Sequence, residues 1–98
     1  MINSEKGTYF FTITADATGG TAIPLPAGFI AGRATLTLAT GQIRYRYDGG
    51  GGPTATEGHV MDVGTGLVVE GHDNIANFRV ISTTGTLGVL SVTVEAAR

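Results

Sequence analysis

The sequence predicts an all-β fold, a single-domain antiparallel β-sandwich with a jelly-roll-like arrangement of about seven or eight strands. Three observations support this prediction. The 98 residues include 16 glycines and 15 threonines, apolar and polar residues alternate in short runs, and turn residues separate these runs at intervals of about ten residues. No stretch has helical periodicity, and the length leaves room for one domain over residues 1–98.

The first half of the chain contains two strand patterns joined by an extended segment. In residues 8–15, Phe11 and Ile13 share one face and Phe10 lies on the other, so both faces of this strand are expected to be covered. A turn follows over residues 16–20. Residues 21–28 contain two prolines, which cannot donate to a strand ladder, so this segment is placed at a sheet edge or in an extended connection over the core.

Residues 29–40 form the next predicted strand. Its apolar set is Ala34, Leu36 and Leu38, and its polar set is Arg33, Thr35 and Thr37.

The clearest alternation lies in residues 42–48, where bulky apolar side chains share one face of a strand and two arginines share the other. The first set is Ile43, Tyr45 and Tyr47, and the second is Arg44 and Arg46. The glycine-rich residues 49–54 that follow predict a surface loop.

The second half predicts four more strands, over residues 59–63, 67–70, 78–81 and 86–95. The glycines of residues 64–66 indicate a hairpin between the first two. Asp73 or Asn74 could cap a single helical turn over residues 75–77. In the last strand, Leu90, Val92 and Val94 share one face.

The pattern of residues 43–49, 53–59 and 77–81, with Gly71, Ile75 and residues 90–94, resembles small structural proteins of tailed bacteriophages and prophages. This resemblance covers residues 42–94. It implies a capsid decoration (cement) protein that is made in the host cytoplasm and lies on the virion surface. Its implied partners are the major capsid protein and copies of itself, as a homotrimer. A tail, neck or fibre component is the alternative within the virion.

Composition narrows the classes of function. Charged residues are 14% of the chain and the net charge is -2, so no basic footprint for nucleic acid is predicted. Such a charge-poor surface is typical of proteins that bind other proteins. No cysteine is present to supply disulfides or thiolate ligands. The polar start predicts no secretory signal, and no apolar run is long enough to predict a membrane span.

Arg44 and Arg46 are the best candidates for a protein interface, because arginine and tyrosine are enriched where proteins meet. The alternative is that the tyrosines face the core and the arginines simply face water. Gly50 and Pro53 in the glycine loop, and residues 1–7 as a docking arm, are the other candidates for contacting a neighbour.

Several patterns that could carry chemistry are too weak to predict a site. The possible metal ligands His59, His72, Glu57, Asp62, Glu70 and Asp73 have no spacing that would bring them together. The glycine run lacks the lysine and helix start of a phosphate loop. Ser4, Ser82 and Ser91 lack a nucleophile's setting, and Glu57 with Glu70 would need a deeper sugar cleft. We therefore predict no catalytic residue, metal, cofactor or small-molecule substrate.

A carbohydrate-binding sandwich module is the alternative from another class. It would use aromatic platforms, and the chain has three tyrosines and no tryptophan.

Overall fold

A computed structural model describes residues 7–17, 20–50, 52–54 and 56–97. In this part of the chain, eight strands and one short helix follow one another. The elements are β1 (Thr8–Thr14), β2 (Thr21–Ala22), β3 (Ala31–Thr40), β4 (Ile43–Arg46), β5 (His59–Met61), β6 (Gly66–Glu70), α1 (His72–Ala76), β7 (Arg79–Ser82) and β8 (Val89–Ala96).

The strands form two four-stranded antiparallel sheets. Sheet A has the order β1-β8-β3-β6 and sheet B the order β2-β7-β4-β5. Four of the pairings, β1 with β8, β2 with β7, β3 with β6 and β4 with β5, join strands whose numbers add to nine. This is the pairing obtained when one long hairpin is rolled into two layers, and it is the jelly-roll arrangement. The predicted fold class is therefore confirmed.

One apolar core lies between the sheets. The predicted apolar sets of β3 and β8 are both buried, and Ile43 and Val80 of sheet B face them with no exposed surface. Phe78, the residue just before β7, is the largest fully buried side chain among the described residues. The alternation of apolar and polar residues therefore assigns the inner face of the long strands correctly, because a strand's side chains alternate between its two faces.

The segment with two prolines lies where its composition predicts. Its first residues form β2, an edge strand paired with β7, and Ile23 just after it is buried. Proline is tolerated there because an edge strand does not need every N–H for pairing.

The predicted hairpin over residues 64–66 is wrong. β5 belongs to sheet B and β6 to sheet A, so this turn carries the chain from one sheet to the other. Gly64 donates its N–H to the carbonyl oxygen of Leu38, and Leu38 donates to that of Thr65. A glycine turn is a local signal, and it does not reveal which sheet the next strand joins.

The predicted helical turn exists, but it starts earlier than expected. α1 begins at His72, its N-cap is Gly71, and no side chain caps it. Asp73 and Asn74 therefore do not serve as caps, because both already lie inside the helix. Asn74 instead donates its amide to the carbonyl oxygen of Glu70 at 3.0 Å. The helix buries Ile75 against the core.

Two further predictions concern β1 and the residues before it. Phe10 is 64% exposed, so the expectation that both faces of β1 are covered is wrong for the described residues, which cover only the face that carries Phe11 and Ile13. Residues 1–6 of the predicted arm lie outside the described residues, while the carbonyl oxygen of Gly7 accepts a hydrogen bond from Ala96 at 2.7 Å. Among the described residues, no helix has the length and apolar character needed to cross a bilayer.

Candidate functional site

A cleft opens at the end of sheet B where β4 and β5 diverge. The two strands pair only from Ile43 with Met61 to Tyr45 with His59, and the chain between them forms a long loop. The cleft has a volume of about 550 Å³. Its lining residues are Arg46, Tyr47, Asp48, Glu57, Gly58 and His59.

Stacked rings support one side of this cleft. The ring of Tyr45 lies 5.6 Å from that of the buried Phe78, 6.3 Å from Tyr47 and 5.3 Å from His59, measured between centroids. Burial raises the pKa of the Tyr45 phenol, and repulsion from Tyr47 adds to the effect. Tyr45 therefore joins the core to the cleft wall. The alternative in which both tyrosines face the core is correct for Tyr45 and wrong for Tyr47. Tyr47 lies past the end of β4 and is exposed.

Arg46 and Asp48 form a clamp at the cleft mouth. The Arg46 guanidinium donates to the Asp48 carboxylate at 2.8 Å, and the backbone N–H of Gly50 donates to the other carboxylate oxygen at 3.1 Å. These hydrogen bonds, that from Arg46 first, lower the pKa of Asp48, and the same pairing raises the pKa of Arg46. A side chain on Gly50 would meet the guanidinium, since a Cβ there lies 2.6 Å from Nη2.

Arg44 is held by the other end of the same loop. Its guanidinium donates to the carbonyl oxygen of Gly58 at 2.8 Å, and Gly58 packs against Pro53. Pro53 is buried. The prediction of a surface position for residues 49–54 is therefore wrong for Pro53 and correct for the exposed Gly49 and Gly50, because the loop folds back onto β4 after its glycines.

Arg79 is a further residue of this surface, and no sequence motif points to it. Its register with Arg46 places it on the same outer face of sheet B as Arg44 and Arg46. Its guanidinium donates to the carbonyl oxygens of Ala76 and Phe78 at 2.9 and 2.8 Å. The alternation of residues 78–81 does predict that Arg79 and Phe78 lie on opposite faces of their strand. It does not predict that β7 pairs with β4, and this pairing is what brings Arg79 beside Arg46.

Three of the four candidate positions, Arg44, Arg46 and Gly50, thus lie at the outer surface of one loop and strand. The two arginines of β4 differ in their partners. Arg46 has a carboxylate at contact distance, whereas no carboxylate of the described residues pairs with Arg44 or Arg79.

Three of the candidate side chains for metal binding or catalysis, His59, His72 and Ser82, contact rings or backbone groups of the fold. His59 lies against the Tyr45 ring, and the Nδ1 atom of His72 accepts the N–H of Ala31 at 3.0 Å. Ser82 is buried and donates its hydroxyl to a backbone carbonyl. Within the described ranges, no three histidine, aspartate or glutamate side chains come together as a cation site.

No protein-family model, curated protein or solved structure matches the chain. Jelly-roll sandwiches occur in viral capsid proteins and in lectins. Because one fold can support unrelated functions, the jelly roll alone does not assign a function, and the surface of this chain decides among them.

Proposed function

We propose that this chain is a structural protein of a tailed-bacteriophage virion, a capsid decoration protein that binds the assembled shell and stabilises it across subunit boundaries. The proposal is supported by the jelly-roll strand order, by the charge-poor composition and by the resemblance of residues 42–94. A decoration protein needs an adhesive face and no reactive group. The proposed location is the outer surface of the capsid, after synthesis in the host cytoplasm.

The observation that carries this proposal is the outer face of sheet B, which we call the docking face. It consists of Arg44 and Arg46 of β4, Val60 opposite Arg44 in β5, and, in β7, Arg79 opposite Arg46 and the buried Ile81 opposite Arg44. Arg44 and Arg79 are half-buried and have only carbonyl partners among the described residues, and Val60 beside Arg44 is 48% exposed. A partner's carboxylate at this face would form charge-assisted hydrogen bonds with guanidinium groups that are already held in place.

An acidic, partly apolar protein surface is the partner that this face fits. On a phage particle, that surface would belong to the major capsid protein. Binding across the boundary between two shell subunits adds buried area that exists only in the assembled state, so it shifts the equilibrium toward assembly by mass action. The homotrimer implied by the resemblance stays a prediction.

The test is binding to shells assembled from the major capsid protein encoded beside this chain. The shells are those of a phage or prophage whose genome encodes this chain, and we expect the chain to sediment with them at a fixed ratio to the major capsid protein. Arg44→Gln combined with Arg79→Gln should reduce the bound fraction about tenfold or more, because two charge-assisted contacts are lost. The charge-preserving pair Arg44→Lys and Arg79→Lys should retain more binding than the Gln pair.

Two results would count against the proposal. One is the absence of the chain from purified particles by mass spectrometry. The other is equal binding of the Gln pair, the Lys pair and the unchanged chain, provided that all three have the same melting temperature. Presence only in tail fractions would instead support a tail, neck or fibre component.

The cleft favours a second candidate function, carbohydrate binding. The exposed Tyr47 ring lies beside polar groups of Asp48, Glu57 and His59, and sugars bind to aromatic faces flanked by such hydrogen-bonding groups. A glycan array tests it directly. Binding that is lost in Tyr47→Ala and kept in the Gln pair would favour this function over shell binding.

A further inference from the structure

The outer face of sheet A presents ordered rows of side chains that none of the described residues covers. Strand register fixes each row across β1, β8, β3 and β6. One row is Thr8, Glu95, Arg33 and Glu70, the next is Phe10, Thr93, Thr35 and Val68, and the third is Thr12, Ser91, Thr37 and Gly66.

Charge and apolar surface are unevenly distributed over these rows. All the charge lies in the first row, where Arg33 is 3.2 Å from Glu70 and 3.9 Å from Glu95. The other two rows contain no charged residue. The second row exposes an apolar side chain at each end, Phe10 at 64% and Val68 at 54%. A face of small neutral side chains with two exposed apolar residues is suited to packing against another sheet.

We infer that this face binds the same face of a second copy, with a two-fold axis that runs parallel to the strands between β8 and β3. With this axis, β8 of one copy lies over β3 of the other, and β1 lies over β6, within the same row of residues. Glu95 then faces the Arg33 of the second copy, and Phe10 faces its Val68. Arg33 and Glu95 therefore occur in complementary positions on the two copies, as an isologous interface requires.

Two stacked sheets can be related by a two-fold axis that runs either parallel or perpendicular to the strands. The charge pattern favours the parallel axis. An axis perpendicular to the strands reverses the order of the rows. It would place Arg33 opposite neutral residues from the far end of the sheet and leave every carboxylate of the first row without a cation on the second copy. The strand-parallel axis alone sets Arg33 against Glu95.

The size of the face sets the expected strength of the dimer. Four strands about 4.8 Å apart and seven residues rising about 3.3 Å each give about 400 Å² on each copy. Because side chains make the surface uneven, the accessible area buried on the two copies together is about 1,000 Å², which is typical of weak, reversible interfaces. We expect a dimer that dissociates at micromolar concentration. This inference does not depend on the proposed function, because it concerns the sheet opposite the docking face.

The dimer would also change how the docking face acts. Face-to-face stacking of sheet A turns the two copies of sheet B outward in opposite directions, so each dimer carries two docking faces. Because the two faces point in opposite directions, they cannot engage one shell surface together, so the dimer would bind a single shell through one face without avidity and leave the other face free for a second partner.

Charge exchange tests the axis. Sedimentation equilibrium should show a monomer–dimer transition for the unchanged chain. Arg33→Glu and Glu95→Arg should each weaken dimerisation about tenfold, because like charges then face each other across the axis. The double exchange R33E with E95R restores opposite charges and should return dimerisation to within about threefold of the unchanged chain. Val60→Thr, on the opposite sheet, should have no effect.

Cross-linking provides a second test, and the chain has no cysteine of its own. Phe10→Cys and Val68→Cys are made as separate proteins and treated with a short bismaleimide. Mixing them should give a cross-linked dimer, whereas Phe10→Cys alone should give little, because the axis places the two copies of residue 10 at opposite edges. A chain that stays monomeric at millimolar concentration overturns the inference. A trimer also overturns it and would instead agree with the homotrimer that the resemblance implies. Efficient cross-linking of Phe10→Cys to itself overturns it as well, because it indicates pairing through the β1 edge.

Discussion

The buried hydroxyl of Ser82 donates a hydrogen bond of 2.7 Å to the carbonyl oxygen of Ala15 and accepts one of 2.8 Å from the N–H of Gly88. Ser82 lies at the end of β7 in sheet B, while Ala15 follows β1 and Gly88 precedes β8 in sheet A. Ala15 and Gly88 also bond to each other through their backbones. One serine thus connects the two sheets at the corner where the chain leaves sheet A.

Replacing Ser82 by alanine should lower the free energy of unfolding by about 2 kcal/mol. The change removes two hydrogen bonds and leaves a buried donor and a buried acceptor without partners, which costs more than the loss of an exposed hydrogen bond. Urea denaturation measures the difference. Ser91→Ala, on the outer face of sheet A, is the matched control and should change stability by less than about 0.5 kcal/mol. An equal loss of unfolding free energy in the two variants would show that the buried hydrogen bonds of Ser82 do not stabilise the fold.

The loop that closes over Arg44 requires glycine at position 58 for two reasons. Its φ is 122°, and a Cβ would lie 2.9 Å from the Cβ of Pro53 and 3.1 Å from the carbonyl oxygen of Tyr45. Gly64 has φ 88°, and a Cβ there would meet nothing within 4 Å. An alanine at position 64 therefore measures the cost of the positive φ alone, without crowding. We expect Gly64→Ala to cost about 1 kcal/mol from the positive φ and Gly58→Ala about 2–3 kcal/mol from φ and crowding together.

Thermal melts of both alanine variants check this difference. A Gly58→Ala protein as stable as Gly64→Ala would mean that Pro53 moves away at no cost. In that case Pro53 does not hold the loop against β4, and the buried position of its ring has no role in stability.

The Arg46–Asp48 clamp predicts a specific acid titration. Asp48 should ionise below the usual aspartate pKa of 3.8, because the Arg46 guanidinium and the Gly50 N–H stabilise its charged form. The stability that the clamp contributes is then present above about pH 3.8 and is lost as the pH falls through the lowered pKa. Carbon-detected NMR of the Asp48 carboxyl group measures the midpoint directly.

Two variants test whether the Arg46 hydrogen bond, and not the overall charge of the protein, lowers the pKa of Asp48. Arg46→Gln should move the Asp48 midpoint up toward 3.8, since the largest stabilising hydrogen bond is gone. Arg33→Gln removes an arginine from the opposite sheet and should leave the midpoint where it was. An Asp48 midpoint that responds equally to both variants would indicate a general charge effect and no clamp.

The sequence was sufficient to predict the fold class because the signal that defines it is local. Side chains alternate between buried and more exposed positions over residues 33–39 of β3 and 89–95 of β8, and the burial of Leu36 and Val92 follows from their position in that alternation. The transfer of the chain between sheets at Gly64 was mispredicted as a hairpin. Nothing in a glycine turn records that Leu38, in a distant strand, will bond to both Gly64 and Thr65.

The candidate site was predictable only in part, for the same reason. Arg44 and Arg46 are adjacent in an alternating strand, so their shared face could be derived. Arg79 joins them through the pairing of β7 with β4, and burial of Pro53 depends on where a glycine-rich loop folds back. Both are long-range relationships that a single sequence does not encode in any short pattern.

The last prediction concerns Tyr45, the ring that joins the core to the cleft. Burial raises the pKa of its phenol above 10.0, with a smaller contribution from repulsion by Tyr47. A raised folded-state pKa means that the favourable contribution of the neutral phenol is complete below about pH 10 and is lost as the pH rises through the folded value. Near-ultraviolet absorbance should therefore show one tyrosine that ionises late. Tyr45→Phe should abolish that late phase, whereas Tyr47→Phe should retain it and shift it to slightly lower pH. A late phase that survives in Tyr45→Phe would assign the buried phenol to another tyrosine and separate the cleft wall from the core.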